Sequence, residues 1–168
     1  MGRTGTAYRR IRSVVTDKPT FFGWVIEGRL AASGLPSSEG QLRWLQSHGV
    51  DSILTLRETP LPEEWVAATR LSAKHVKMLD HAPPSPEALE EATGYISAQL
   101  KDGRSVLVHC LAGVGRTGSV LAAYMIEYEG RSADDAIARL RAIRPGSVEG
   151  AQESAVRDYE KTVRRAKR

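Results

Sequence analysis

Short apolar runs alternate with helical periodicities along this chain. Trp24–Ile26, Ser52–Leu56, Lys74–Leu79 and Ser105–His109 have the length and character of buried strands. Between them, Ser37 or Ser38 caps a helix running through Leu42, Trp44 and Leu45 to a stop at Gly49, and Pro62–Leu71 reads as a second helix. Ser85-Pro86 supplies a cap and a first-turn proline for a long helix ending near Gly103. Thr117–Glu129 places Val120, Leu121, Tyr124, Met125 and Tyr128 at helical spacing. Ser132-x-x-Asp135 opens a helix over Ala133–Ile143, with Ala136, Ile137, Leu140 and Ile143 on one face; Pro145-Gly146 ends it, and a last helix covers about Gly150–Arg165. This alternation predicts an α/β fold: a central, mostly parallel sheet of about four or five strands flanked by helices, with its chemistry at the C-terminal edge of the strands. Residues 1–20 read as a basic N-terminal extension and 21–168 as one domain, without internal repeats.

Composition adds limits. The 168 residues, 41% hydrophobic, suffice for one core. No apolar stretch approaches the roughly 20 residues of a membrane span, and no signal-like segment is visible, so no membrane association is expected. The net charge of +4 raises the question of nucleic acid, but it is concentrated at the ends: four arginines in residues 1–12 and five Lys or Arg in 161–168, with no acid in either. Basic tails without interleaved aromatics read as solvated, so no nucleic-acid partner is expected. A single cysteine leaves no internal disulfide and fits a reducing, cytoplasmic setting; a monomer is expected.

That cysteine is where the chemistry concentrates. Cys110 heads a strand-to-helix loop, followed by Leu111, Ala112, Gly113, Val114, Gly115 and Arg116. Gly113, Gly115 and Gly118 let such a loop curl so that its N–H groups converge, next to the positive end of the following helix. The result is an anion cradle, in which the planar guanidinium of Arg116 can grip two phosphate oxygens. A helix N-terminus and a nearby arginine also lower a thiol pKa by one to several units from about 8.5, leaving a nucleophilic thiolate at neutral pH. Thr117 can donate its hydroxyl to that sulfur. His109 is placed to bond a loop carbonyl and support the cysteine's backbone, not to act as a base. Glu58, after the strand ending at Leu56, is either a bridge to the phosphate loop or a solvated turn acid.

The run HCLAGVGRTG resembles the His-Cys-x5-Arg-Thr signature of the cysteine-dependent protein phosphatases, in the form typical of small dual-specificity members. WVIEGRLAASGLP (Trp24–Pro36), LDHAPPSPE (Leu79–Glu87) and RPGSVE (Arg144–Glu149) are similar to segments of that family in the same order, so the likeness covers roughly residues 20–160. It implies a protein-tyrosine-phosphatase-like fold and hydrolysis of phosphate monoesters on proteins, on tyrosine and on serine or threonine, through a phosphocysteine without metal or cofactor. The implied partners are phosphorylated proteins or peptides.

Such a reaction needs an acid for the leaving oxygen. Asp51 and Asp102 precede strands and lie on the wrong edge; Asp134, Asp135, Glu90 and Glu91 sit on solvated helix faces. Asp80 follows a strand on the correct edge, ahead of a stiff Pro83-Pro84-Ser85-Pro86 run, and the family's general acid occupies this place. The resemblance also implies a glutamine that orients the hydrolytic water. Gln152 is its counterpart, although the interval from Glu149 is one residue short and Glu153 is the alternative.

Other readings compete. Gly113-x-Gly115-x-x-Gly118 with Asp134 downstream fits a dinucleotide site, but Ser132–Ile143 reads as a helix where that site needs a strand. A phosphate-binding module without catalysis would need neither the thiol nor Asp80. His75, His81 and Cys110 have no metal-ligand spacing. RNA 5′-phosphatase and phosphoinositide phosphatase remain alternatives, though Leu111, Ala112 and Val114 lack the lysines that phosphoinositide enzymes often place in this loop.

Overall fold

Five strands, β1 (Gly23–Ile26), β2 (Leu30–Ser33), β3 (Ser52–Thr55), β4 (Ser72–His75) and β5 (Val106–His109), form one sheet in the order β1-β2-β5-β3-β4 in the computed structural model, which describes residues 17–168. Only the β1–β2 pair is antiparallel; β2, β5, β3 and β4 run parallel. The helices among the described residues are α1 (Glu39–Ser47), α2 (Glu63–Ala67), α3 (Pro86–Lys101), α4 (Gly115–Glu129), α5 (Ala133–Ile143) and α6 (Ala151–Ala166). Most of the basic extension, residues 1–16, lies outside the described residues. Pro19 is buried and the Thr20 carbonyl accepts a hydrogen bond from the Gly34 N–H at 2.8 Å, so the chain is packed on the domain by that point.

Alternation along the strands divides the core in two. Leu30, Ala32, Leu54, Val106 and Val108 face one cluster with Leu89 and Ile96 of α3, Leu121 and Met125 of α4, and residues of α5 and α6. Ala31, Ile53 and Leu107 face the other, under Leu42 and Leu45 of α1, with Phe22, Trp24, Trp44 and Trp65 packed around it. Both faces of the three inner strands are thus buried, as parallel strands require.

Several boundaries differ from the sequence reading. The strand expected over Lys74–Leu79 is Ser72–His75: the ladder ends with the Val76 N–H bonded to the Thr55 carbonyl, because β3 offers no partner beyond that point. Val76 and Met78 then bury on the core side of a loop, imitating strand alternation. The helix expected over Pro62–Leu71 is only Glu63–Ala67. Thr69 stops it, its hydroxyl donating to the Val66 carbonyl at 2.8 Å and accepting from the Leu71 N–H at 3.3 Å. The sequence reading singled out no strand at Leu30–Ser33; this alanine-rich run has little strand preference and is extended because it pairs on both sides. Helix α4 starts at Gly115, ahead of Thr117. The element after it is helix α5, not the strand of a dinucleotide site. Among the described residues no helix is long and apolar enough to cross a membrane.

Candidate active site

The buried β5 delivers His109 and Cys110 to the C-terminal edge of the sheet, and α4 starts five residues beyond the sulfur. His109 is fully buried. Its Nδ1 lies 2.9 Å from the Cys110 carbonyl oxygen and its Nε2 2.8 Å from the Thr55 hydroxyl. Burial pushes its pKa down to about 4, aided by the charges of Arg57 and Arg116 and opposed by the bond to the Cys110 carbonyl. The ring is therefore neutral, with one N–H. A carbonyl only accepts, so Nδ1 carries that hydrogen and Nε2 accepts from Thr55.

Cys110 is 3% exposed, and the Gly113 N–H points at its Sγ from 3.3 Å. Burial alone would raise the thiol. The Thr117 hydroxyl and the N–H groups of Thr117, Gly113 and Val114 outweigh it, so the pKa lies below the ordinary value. The Thr117 hydroxyl is buried and meets the sulfur outside strict hydrogen-bond geometry, with no other polar partner. The donors of the loop and helix, rather than Arg116, therefore hold the thiol down. Of the three glycines read as curling the loop, Gly113 alone has a positive φ, +75°. A Cβ there would stand 2.3 Å from the Ser33 carbonyl oxygen. Gly115 and Gly118 are helical and instead permit close approach.

Arg116 is 2% exposed and gathers the remaining groups. Its Nη1 donates to Glu58 Oε2 at 3.0 Å and to the Met78 carbonyl at 3.1 Å; its Nη2 lies 3.2 Å from Asp80 Oδ1. Its Nε is buried without a partner. Glu58 Oε1 accepts the Asp80 N–H at 3.0 Å, so of the two readings of Glu58 the bridging one describes its geometry. Its own backbone N–H, Arg116 and the Asp80 N–H together pull its pKa down to about 2. Two carboxylates thus meet one guanidinium, which offsets its charge at the sulfur.

Gln152, 2% exposed, accepts the Glu149 N–H on Oε1 at 3.1 Å and packs its amide against Gly115, where a Cβ would stand 2.7 Å from Oε1. Glu153 turns away to Arg141 and Arg157, so Gln152 is the one beside the loop. Leu111 is half-exposed at the loop's outer rim. His75 bonds the Arg57 carbonyl and His81 is exposed beside Asp80, apart from the buried Cys110; no cluster among the described residues is arranged to hold a metal ion.

Sequence reasoning gave no role to Arg144, which is 4% exposed beneath the loop. Its Nη2 donates to the Gly113 carbonyl at 2.9 Å, and its Nη1 to the carbonyls of Phe21 at 3.0 Å and Ala32 at 3.4 Å, with the Phe21 ring 3.9 Å from the guanidinium carbon. Burial lowers its pKa to about 10, so it remains a cation at neutral pH, and the Cys110 charge favours that state. The sequence signal was its place at the head of the family-like RPGSVE segment, a cation ending a helix before Pro-Gly.

A family model described as the Swiss Army Knife protein, DSP-PTPase phosphatase domain, matches residues 19–156. The chain is 37% identical over 87 residues to a tyrosine-protein phosphatase CDC14 of Candida albicans, covering 51% of this chain and 16% of that one. It is 29% identical over 132 residues to the phosphatidylglycerophosphate phosphatase PTPMT1 of Arabidopsis thaliana, covering 77% of this chain and 39% of that one. It therefore spans well under half the length of these relatives. The crystal structure of Tk-PTP in the active form superposes with a TM-score of 0.74 and 29% identity, covering 81% of this chain and 94% of that one. By the extent of the family match and the shared fold, this chain belongs to the DSP-PTPase phosphatase domain family.

Proposed function

We propose that this protein hydrolyses phosphate monoesters on proteins, on phosphotyrosine and on phosphoserine or phosphothreonine, through a phosphocysteine. One observation carries the reading: a buried arginine with an unpartnered Nε stands between a low-pKa cysteine loop and two carboxylates. A phosphate dianion entering the cradle takes the loop N–H groups and the Nε–Nη2 edge of Arg116, and in doing so frees Asp80 from Nη2. Glu58 keeps Nη1 and so holds the fork in orientation. The Cys110 thiolate attacks phosphorus; the S–P bond forms as the ester P–O bond breaks, and the carboxyl proton of Asp80 passes to the leaving oxygen. Water, oriented by Gln152, then loses a proton to Asp80 and attacks phosphorus, breaking the S–P bond and returning the thiolate and inorganic phosphate. His109 and Thr117 hold and tune the sulfur without exchanging protons with substrate.

The test is release of phosphate from an aryl phosphate. Cys110→Ser is expected to abolish it while phosphopeptide binding persists; appreciable turnover refutes the reading. Asp80→Asn is expected to slow poor leaving groups most, by about 100-fold for an alkyl ester and little for a nitrophenyl ester.

A lipid phosphomonoester is the second reading, favoured by the similarity to a relative named as a phosphatidylglycerophosphate phosphatase. Its weakness is a loop with no cation other than Arg116 between Cys110 and Thr117. Rates on phosphotyrosine and phosphothreonine peptides, phosphatidylglycerophosphate vesicles and RNA triphosphate decide between them; a vesicle rate tenfold above the peptide rates would favour the lipid.

A further inference from the structure

Arg57 is a cation left over by the chemistry above. It follows β3, the neighbour of the strand that carries Cys110, and the Leu56 N–H donates to the His109 carbonyl at 2.9 Å. In the bend that follows, Glu58 turns toward Arg116, while Arg57 is left out of that cluster. Arg57 lines a groove of about 330 Å³, with Leu35, Thr59, Pro60, Pro62 and Trp65. The groove adjoins the phosphate loop, since the Leu35 N–H donates to the Leu111 carbonyl at 2.9 Å and Leu111 is 50% exposed.

Within the described residues the Arg57 side chain makes no ion pair and no hydrogen bond, and its Nε is buried without a partner. Its neighbours are accounted for: Glu58 is taken by Arg116 and the Asp80 N–H, while His75 bonds the Arg57 carbonyl at 2.8 Å and fixes its backbone. A half-buried guanidinium with an orphaned donor has lost water without gaining a counter-ion, and an anion in the groove would supply both. That its charge reaches His109 places it close to the nucleophile's strand end.

We propose that Arg57 forms a second anion subsite beside the phosphate loop, which selects phosphoprotein segments bearing a carboxylate or a second phosphate next to the residue being dephosphorylated. The inference rests on the protein-phosphatase reading above. Thr59, exposed in the same groove, offers a hydroxyl to the anion, and Trp65 and the prolines provide an apolar floor for the peptide's backbone and flanking side chains. Arg57 acts by binding, not in the chemical steps.

The experiment compares kcat/KM on two phosphotyrosine peptides that differ only in flanking residues, acidic or phosphorylated in one and neutral in the other, with a small aryl phosphate as reference. The wild-type protein is expected to prefer the anionic peptide by roughly tenfold, the scale of one charge-assisted pair in a partly dry site. Arg57→Met is expected to erase the preference while leaving the aryl phosphate rate within about twofold, and Arg57→Lys to retain part of it as a point charge without the fork. No preference in the wild type, or one that survives in a stably folded Arg57→Met protein, overturns the proposal. Binding of the same peptides to Cys110→Ser by fluorescence anisotropy reads the subsite without turnover, so loss of catalysis and loss of the subsite are told apart. Anionic vesicles hydrolysed faster than the anionic peptide, with the same dependence on Arg57, would assign the subsite to a lipid surface and overturn the protein assignment.

Discussion

At the scale of single residues, protonation states carry most of the consequences. His109 is neutral when folded because its charged form would be buried, with a folded pKa near 4 against about 6.5 unfolded. The unfolded chain therefore binds the extra proton between those values, and stability falls as pH drops through that window. A loss of about 2 kcal/mol by pH 4.5 is expected in denaturant unfolding, and His109→Asn should flatten that slope. Glu58 acts in a lower window: its depressed pKa gives stability present above about 4.5 that is lost only as pH falls toward about 2, so the two effects separate above pH 4.5. Thr117 leads the groups that lower the Cys110 thiol. In Thr117→Val the midpoint of iodoacetate alkylation against pH is expected to move up, and an unmoved midpoint would leave the N–H groups as the whole cause.

The elements matter through what they bring within reach. The loop that follows Cys110 is clamped from below by Arg144, which ties the carbonyls of Phe21, Ala32 and Gly113 to one cation. Arg144→Met removes the cation shared by those carbonyls, and a loss of about 3 kcal/mol in unfolding free energy is expected, together with an upward shift of the thiol pKa as the loop loosens. From above, α6 sets Gln152 against Gly115. In Gly115→Ala the new methyl displaces the Gln152 amide; under the proposed mechanism this slows release of phosphate from the phosphocysteine more than its formation. Rapid mixing should then show a burst of phenol followed by slow turnover, whereas equal slowing of both phases would count against Gln152 as the water-orienting group. Legibility at this scale followed locality. Ser38, Ser85 and Ser132 cap their helices through side chains bonded to N–H groups three residues on, a contact written within four residues of sequence. Helix α2 and strand β4 came out shorter than their apolar patterns because a threonine and the end of a neighbouring strand terminated them.

Across the whole molecule, the parallel order β2-β5-β3-β4 brings the ends of three strands together, so Glu58 after β3, Asp80 after β4 and Cys110 after β5 converge on Arg116, although Glu58 lies 22 residues from Asp80 and 58 from Arg116. Legible in the chain alone were the α/β alternation, the cysteine loop opening a helix, the supporting place of His109 before Cys110, and Asp80 as the carboxylate on the correct edge. Those features are local, or follow from which end of a strand a residue leaves. Three-dimensional packing adds that Glu58 bridges Arg116 and Asp80, that Gln152 rather than Glu153 reaches the loop, that Arg144 lies beneath it, and that Arg57 has no counter-ion among the described residues. Each of these depends on which side chains meet across separate elements and which find no partner. That is settled by packing and desolvation in three dimensions, and a linear pattern does not encode it.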